Sequence, residues 1–218
     1  NGTPHRTAEG PKFYKRDGWY WIMCPAGGVP TGHQLAMRAK NPYGPYETKV
    51  VLATGNTEVN GPNQGGWVHL QSGEDWFLHF QDKEAYGRVV WLEPVKWVDN
   101  WPVMGEKLQP NKQHKKSDPN LPVLDKYCGQ PVLKYKKPNV GKNYPINNPV
   151  ENDEFDSIKL GKQWQWNANY DQTFGMPTPN GYFRLFCHRQ SEGYKNLWAA
   201  GNLLLQKTPA DNFTATAK

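Results

Sequence analysis

The residues of this sequence that could do chemistry are few and widely spaced. Glu9 stands in Glu9-Gly10-Pro11, where a carboxyl could donate or accept a proton. By residue type alone it is a glutamate before a turn, and most glutamates lie in solvent. Arg88 carries a fixed fork of donors that suits the recognition of hydroxyl groups, although a surface arginine on a strand is the alternative. Neither residue decides a function by itself.

The spacing of cysteine and histidine argues against a zinc site. Cys24, Cys128 and Cys187 lie far apart, and no Cys-x-x-Cys pair or Cys–His spacing typical of zinc ligands is present. Their odd number leaves the redox compartment open. His79 follows the alternation of a strand that would point it inward, and we expect a core histidine with a hydrogen-bond partner there.

Aromatic residues are abundant, with 10 Trp, 11 Tyr and 8 Phe. This content excludes a disordered tail or a helical linker. Aromatic faces can stack on a ligand, but tryptophans at strand spacing more often pack between sheets. Packing is therefore expected for most of five tryptophans and substrate contact for one of them: Trp19, Trp21, Trp67, Trp76 and Trp91.

The elements that would position these residues are short. With 21 Gly and 19 Pro in 218 residues, turn residues interrupt the chain too often for long helices. No apolar run approaches the roughly 18–20 residues of a membrane span, so no membrane partner is expected. The sequence predicts a soluble, turn-rich, all-β chain of one large domain or two smaller ones.

The first hundred residues contain two similar units. Gly10-Pro11 opens the first, with predicted strands at 19–24 and 34–38, and Gly61-Pro62 opens the second, with strands at 66–70, 76–80, 87–92 and 101–104. The offset of about 50 residues suits a four-stranded propeller blade. We therefore predict two propeller blades within residues 1–105.

The net charge of +6 is concentrated in one segment. Residues 106–142 hold nine Lys and three acidic residues, including the lysine run 112–116, whereas the rest of the chain balances 17 basic against 17 acidic side chains. Nucleic-acid binding requires basic residues on a formed surface, preferably with stacking aromatics. Because this segment is rich in Pro and Asn, we predict a solvated linker at 106–150 and no nucleic-acid partner.

The remaining residues, 151–218, are predicted to be the first part of a β-sandwich. Short strands are expected at 164–166, 182–186, 203–206 and 213–216. About 70 residues are too few for a complete two-sheet sandwich. The sequence also begins at Asn1 without Met or a leader, so we expect either a removed leader or a piece of a longer protein.

Several motifs resemble glycoside hydrolase family 43, specifically its β-xylosidase and α-L-arabinofuranosidase-like branch. They are spread over nearly the whole chain in the family's order: Ala8-Glu-Gly-Pro11, Lys15-Arg-Asp-Gly-Trp-Tyr-Trp21, Tyr43-Gly-Pro-Tyr-Glu47, Gly61-Pro-Asn-Gln-Gly-Gly66, Leu78-His-Phe-Gln-Asp82, Tyr86-Gly-Arg88, Trp164-Gln-Trp166 and Asn202-Leu-Leu-Leu-Gln-Lys207. The resemblance implies a partial five-bladed β-propeller followed by a truncated, concanavalin-like β-sandwich.

The resemblance also implies a chemistry, the inverting hydrolysis of glycosidic bonds in arabinose- or xylose-containing plant polysaccharides or oligosaccharides. Glu9 matches the family's general acid. Arg88 matches an arginine at the sugar subsite and His33 a position near the pocket. Gln64 lies where the chain is expected to approach the propeller axis and bind substrate.

The resemblance places the other two catalytic carboxylates, the base and the aspartate that tunes the acid, before Glu9. They are expected in earlier propeller blades, outside this chain. Asp17, Asp75 and Asp82 lie in turns or at strand ends and do not occupy those family positions.

No metal or other cofactor is assigned. The family often carries a histidine just before the Gln-Gly-Gly segment, sometimes bound to a central cation. This sequence has Asn63 there, which does not support a central calcium ion.

Two readings of function remain open from sequence. The first is a family 43 glycosidase, secreted or periplasmic in a bacterium, whose missing N-terminal blades are expected on a second polypeptide or on the other part of a nicked protein. The alternative is a carbohydrate-binding protein without catalysis, because propellers and sandwiches both bind glycans and fold does not determine function. Two aspartates in the preceding segment would favour the enzyme.

Overall fold

The computed structural model describes residues 5–108, 122–190 and 192–217, with only the backbone of Asn63. The chain divides into two compact units, Asn1–Asn143 and Tyr144–Lys218. Each unit is described separately below.

The first unit contains two antiparallel sheets that correspond to the two units seen in the sequence. The first sheet is built on four consecutive strands: β1 (Lys12–Arg16), β2 (Trp19–Ala26), β3 (His33–Ala39) and β4 (Glu47–Ala53). The second sheet has the same order of neighbours: β5 (Asn63–His69), β6 (Asp75–Asp82), β7 (Arg88–Val98) and β8 (Trp101–Met104). The predicted strands are found in both, while β1 and β4 are additional to the prediction.

Turn chemistry explains the first hairpin. Arg16 of β1 pairs with Trp19 of β2, leaving Asp17 and Gly18 as the two-residue turn. Both have positive φ, 51° and 72°, which is the conformation that a twisted two-residue hairpin requires. Aspartate and glycine are among the residues that adopt it most readily.

The core of the first unit lies between the two sheets. Trp21 and Met23 of β2 meet Phe77 of β6 and Trp101 of β8, and all four are at most 1% exposed. The Trp21 and Trp101 rings pack edge to face with centroids 5.6 Å apart. Burial of each such side chain contributes roughly 1.5–3 kcal/mol, so this cluster is a main source of stability for the unit.

Part of the predicted linker 106–150 belongs to the first unit. Strands β9 (Glu106–Lys107) and β10 (Gly129–Gln130) extend the first sheet, with β10 lying parallel to β4. Cys128 is buried in a second apolar cluster of this unit, and burial raises its pKa to about 12. The lysine run 112–116 lies outside the described residues, and the domain boundaries stay a prediction.

The second unit contains two short two-stranded sheets. One joins β11 (Gln165–Trp166) to β14 (Leu204–Leu205), and the other joins β12 (Gly175–Thr178) to β13 (Tyr182–Leu185). Aromatic rings link the two sheets, since the ring centroids of Trp166 in β11 and Phe183 in β13 lie 6.2 Å apart.

One predicted strand of the second unit is wrong. Residues 213–216 form no strand in the structure. Their alternation of Phe and Thr suits a strand, but a strand also needs a hydrogen-bonded neighbour, and among the described residues none pairs with them.

Helical structure in the described part of the chain is limited to two three-residue 3₁₀ turns, Glu84–Tyr86 and Leu197–Ala199. Neither has the length or apolar character to span a membrane.

Candidate active site

The segment that carries Glu9 is held against the end of the β2–β3 hairpin. The Glu9 backbone N–H donates to the Pro25 carbonyl oxygen at 3.3 Å, and the Gly27 N–H donates to the Arg6 carbonyl oxygen at 2.7 Å. The Glu9 side chain is exposed. The backbone is therefore anchored at Glu9 and three residues before it, while solvent or a ligand can reach the carboxyl.

Gln64 connects the second sheet to this carboxyl. Its Nε2 donates to Glu9 Oε1 at 3.2 Å, across 55 residues of sequence. The pairing of β5 with β6 is irregular between Asn63 and Gly66, and Gln64 has a φ of 39° within this bulge. The structure thus brings together two of the four predicted site residues.

His33 is buried, 3% exposed, and pairs with a residue that the sequence did not single out. Its Nε2 lies 3.0 Å from His5 Nδ1, so one of these nitrogens donates and the other accepts. Burial lowers the pKa of His5. The contact ties the Glu9 segment to the first residue of β3, and a substrate contact by His33 stays a prediction.

Arg88 is the first residue of β7 and is exposed. It lies opposite Asp82 in the register of the second sheet, and its guanidinium group lies over the Phe80 ring, 4.8 Å from the centroid. The ring supports the guanidinium group of this exposed side chain. Sugar binding by Arg88 stays a prediction.

The four predicted site residues lie at the same end of the strands. Glu9 precedes β1, while His33, Gln64 and Arg88 lie at or near the starts of β3, β5 and β7. In an antiparallel sheet alternate strands begin at the same edge, and the Glu9–Gln64 bond shows that these edges of the two sheets meet. This common end is the candidate active site.

Asp75 has a structural role. It is buried, and its two oxygens accept hydrogen bonds from Trp67 Nε1 at 2.8 Å and Trp97 Nε1 at 2.7 Å. His69 Nδ1 lies 2.8 Å away, and Arg16 of β1 approaches to 3.8 Å. These contacts occupy the carboxylate and join the two sheets away from Glu9.

A second buried carboxylate, Glu93, also holds the fold. Its Oε1 lies 3.2 Å from His79 Nε2, and its Oε2 accepts the backbone N–H of Val132 at 2.8 Å. The side chains of Glu93 and His79 are 0% exposed. His79 is therefore the partnered core histidine expected from sequence, and the pair fastens residue 132 to the second sheet.

Asp17 and Asp82 are exposed. Asp17 lies in the β1–β2 turn, 3.6 Å from the Arg16 guanidinium group. Asp82 ends β6, and its backbone carbonyl accepts from Asn60 Nδ2 at 3.1 Å. Nothing in these contacts gives either residue the role of the base.

Most of the candidate tryptophans pack inside the first unit. Trp21 and Trp76 are buried, and Trp67 donates to Asp75. Trp91 donates from Nε1 to Gln81 Oε1 at 3.2 Å, and Trp19 lies beneath Lys40, whose Nζ is 3.7 Å from the ring centroid. Substrate stacking by one of the five stays a prediction.

No group of three or more His, Cys, Asp or Glu side chains that could hold a metal ion occurs within residues 5–108, 122–190 and 192–217. That the protein uses no metal or other cofactor stays a prediction from the sequence, and no step of the chemistry below uses one.

Sequence reasoning missed His5. It lies four residues before Glu9, but only the folded chain brings it to His33, 28 residues away.

Family models match both units. The model of glycosyl hydrolases family 43 matches residues 1–102, and that of the beta xylosidase C-terminal concanavalin A-like domain matches residues 152–218. This chain belongs to glycosyl hydrolase family 43.

Its family 43 relatives include two curated proteins. The chain is 38% identical over 212 residues to a putative beta-xylosidase of Xylanibacter ruminicola, covering 97% of this chain and 37% of the relative. It is 27% identical over 189 residues to a non-reducing end alpha-L-arabinofuranosidase of Bacteroides ovatus, covering 80% of this chain and 31% of that one. The chain therefore spans about a third of either relative.

A solved structure supports the family 43 fold. A GH43 protein of Bacillus licheniformis superposes with a TM-score of 0.68 at 25% identity, covering 95% of this chain and 38% of the other. The chain is a partial β-propeller followed by part of a concanavalin-like β-sandwich, which confirms the predicted fold class. The number of blades, five, stays a prediction.

Proposed function

We propose that this chain is the acid-bearing part of a glycosidase that cleaves bonds of arabinose- or xylose-containing plant polysaccharides or oligosaccharides with inversion. The observation that carries the proposal is Glu9. It stands in the Glu-Gly-Pro motif inside the region matched by the family 43 model, and its exposed carboxyl lies at the end of the sheets where the other predicted site residues gather.

In the proposed reaction Glu9 protonates the oxygen of the leaving group. A carboxylate base activates water on the opposite face of the sugar, so acid and base stand ~6.5–9.5 Å apart in inverting enzymes. The resemblance places this base before Glu9, in a part of the propeller outside this chain. The proposal assigns Arg88 to the sugar hydroxyls, which its exposed position and its support by Phe80 would suit.

The substrate class rests on the relatives. One is named a putative beta-xylosidase and another a non-reducing end alpha-L-arabinofuranosidase, and both match most of this chain. Xylose and arabinose are both pentoses, so a site sized for one is close in volume to a site for the other. The substrate partner is therefore an oligosaccharide or polysaccharide that presents one of these sugars.

Two further features belong to this proposal. Because plant polymers do not enter a bacterial cytoplasm, we place the enzyme outside it, secreted or in the periplasm. The missing propeller blades are provided either by preceding residues of a longer chain or by a second polypeptide.

The test is Glu9→Gln in the full-length enzyme. Hydrolysis of substrates with poor leaving groups should slow by about 10²–10⁴-fold, the usual contribution of general acid catalysis, while activated aryl glycosides should lose less. Glu151→Gln is the matched control, because Glu151 is exposed and lies in the other unit. The rates of hydrolysis by this variant should equal those of the parent enzyme.

Two results would reject the proposal. An equal loss on both substrate classes would remove Glu9 from the acid role. Binding of xylo- or arabino-oligosaccharides by the full-length protein without any turnover would establish the carbohydrate-binding alternative.

A further inference from the structure

The starting observation is a side-chain bond between the two sheets of the first unit. Gln64 Nε2 donates to Glu9 Oε1 at 3.2 Å. The carbon chain of Gln64 also lies against Gly10, where an added Cβ would meet Gln64 Cγ at 3.4 Å. The residue thus contacts both the proposed acid and the backbone that follows it.

The backbone of β5 is specialised to place this amide. Gln64 has a φ of 39°, in the left-handed region that residues with a Cβ rarely adopt. Such conformations persist where the surroundings enforce them, and they cluster at functional sites. Here the irregular pairing between Asn63 and Gly66 interrupts the ladder and turns residue 64 away from the regular pleat.

The glycine after Gln64 makes the bulge possible. A Cβ at Gly65 would lie 2.1 Å from Phe77 Cζ and 2.5 Å from the Leu78 carbonyl oxygen, so the backbone sits directly on β6 at this point. Phe77 is fully buried in the core. The position of Gln64 is therefore determined by the rigid part of the unit and not by a loose loop.

The bond has a chemical consequence for a carboxyl that must donate a proton. An amide N–H bonds a carbonyl or carboxylate oxygen better than a hydroxyl oxygen, so its bond to Oε1 favours the neutral acid that carries the proton on Oε2. The same bond can then persist before and after proton transfer. It also restricts rotation of the carboxyl, which presents Oε2 in one direction.

We propose that Gln64 is a positioning residue for Glu9, which selects Oε2 as the proton-bearing oxygen and holds it toward the leaving group. This inference deepens the proposed function and rests on it. It differs from the sequence-based prediction, in which Gln64 binds the substrate. The two roles predict different kinetics, since a positioning residue acts only through Glu9.

The experiment uses the full-length enzyme with Gln64→Met, which keeps the length of the side chain and removes the amide. On substrates with poor leaving groups kcat should fall roughly 10- to 10²-fold, the cost of a small misplacement of a reacting group. KM should stay within about twofold, and activated aryl glycosides should be affected less. Gln71→Met is the control, because Gln71 is an exposed turn residue of the same unit and its kinetics should not change.

A second variant guards against misfolding. Asn tolerates a positive φ better than most residues, so Gln64→Asn should fold while its shorter side chain withdraws the amide from Glu9. The same loss of kcat is expected, with a thermal unfolding midpoint close to that of the parent enzyme. A parent-like kcat in both folded variants would overturn the inference.

A double-mutant cycle separates this inference from the proposed function. In the Glu9→Gln background, Gln64→Met should cause little further loss, because the residue it positions has lost its proton. An additive loss, or a rise in KM with kcat retained, would show that Gln64 contacts the substrate and would overturn the inference alone. If Glu9→Gln itself leaves the rates unchanged, the proposed function fails instead.

Discussion

Arg88 shows how a predicted site residue is supported by its neighbours. Its guanidinium group lies over Phe80, 4.8 Å from the ring centroid, at the start of β7. An aromatic face favours arginine over lysine, because the planar group stacks and still presents a fork of donors at its edge. The neighbours of Arg88 therefore suit hydroxyl recognition at the candidate active site.

Replacement of Arg88 tests this role. In the full-length enzyme Arg88→Ala should lower kcat/KM. The corresponding loss of transition-state stabilisation should be about 1–3 kcal/mol, the cost of leaving buried polar groups of a bound sugar unpaired. Arg88→Lys should recover little because it lacks the fork. The measurement is steady-state kinetics on xylosides and arabinofuranosides, with Arg189→Ala, an exposed arginine of the second unit, as control. Parent-like kinetics for Arg88→Ala would place the residue outside the sugar site.

Strand β5 is the element on which the candidate site depends most. Two adjacent glycines follow Gln64, but their surroundings differ. A Cβ at Gly65 would lie 2.1 Å from the Phe77 ring, whereas a Cβ at Gly66 would meet Tyr14 Oη at an ordinary 3.8 Å. Only Gly65 is therefore required by packing.

These two glycines give a matched pair of variants. Gly65→Ala should destabilise the fold by roughly 1–3 kcal/mol, because overpacking forces backbone shifts in a filled core, and it should lower activity by moving Gln64. Gly66→Ala should be close to neutral in both respects. Denaturant unfolding and kinetics of the full-length enzyme measure the effects. Equal stability of the two variants would contradict the bulge geometry.

A second element-scale feature is the attachment of residues 136–139 to the β5–β6 turn. The carboxylate of Glu74 accepts the backbone N–H of Asn139 and the Nζ of Lys136, each at 2.8 Å, and Trp76 Nε1 at 3.1 Å. These donors lower the pKa of Glu74 from 4.5 to about 2, and the Asn139 amide makes the largest contribution.

This shift predicts how the attachment depends on pH. A carboxyl whose folded pKa is depressed stabilises the fold above its unfolded pKa, and this contribution is lost as pH falls through the folded value. The Asn139 amide should therefore lose hydrogen-exchange protection progressively between about pH 4.5 and pH 2. Glu74→Gln should remove that dependence. Protection that stays constant over this range in the parent protein would contradict the role of Glu74.

At the scale of the whole molecule, the proposed function gives this chain the acid of the reaction and not its base. It covers 37% of the beta-xylosidase relative, and Glu9 is the one family carboxylate that the resemblance places within residues 1–218. The second sheet also exposes apolar side chains on the face away from Phe77: Val68, Leu78 and Val90, at 40%, 41% and 67%. Such a face, together with an edge strand that has one neighbour among the described residues, favours association with other chains.

We therefore expect the 218-residue chain, purified alone, to release no sugar from aryl xylosides or arabinofuranosides and to be larger than a monomer. An activity assay and a measurement of mass in solution test both points. A stable and active monomer would mean that Asp17, Asp75 or Asp82 supplies the base, and Asp75 would then have to leave its two indole donors.

Much of the fold could be predicted from the sequence because its signals are local. Alternating side chains and turn residues identified all four strands of the second sheet and β2 and β3 of the first, and the 50-residue offset indicated two similar units. Strand β1, Lys12–Arg16, was not predicted, since its polar and partly exposed residues lack the apolar alternation of a buried strand. Residues 213–216 show the opposite error, a local strand pattern without a neighbouring strand.

For the candidate active site, too, some features follow from the sequence and others only from the folded structure. The sequence by itself determined that Glu9, His33, Gln64 and Arg88 are the residues to consider, because motif and residue type are properties of the chain. Only the tertiary structure decided that Gln64 meets Glu9, that His33 meets His5 and that Asp75 is occupied by indoles. These bonds join residues that are distant in the sequence, so they form only after the strands have paired and the edges of the two sheets have met. Burial of the core that the two sheets share determines that arrangement.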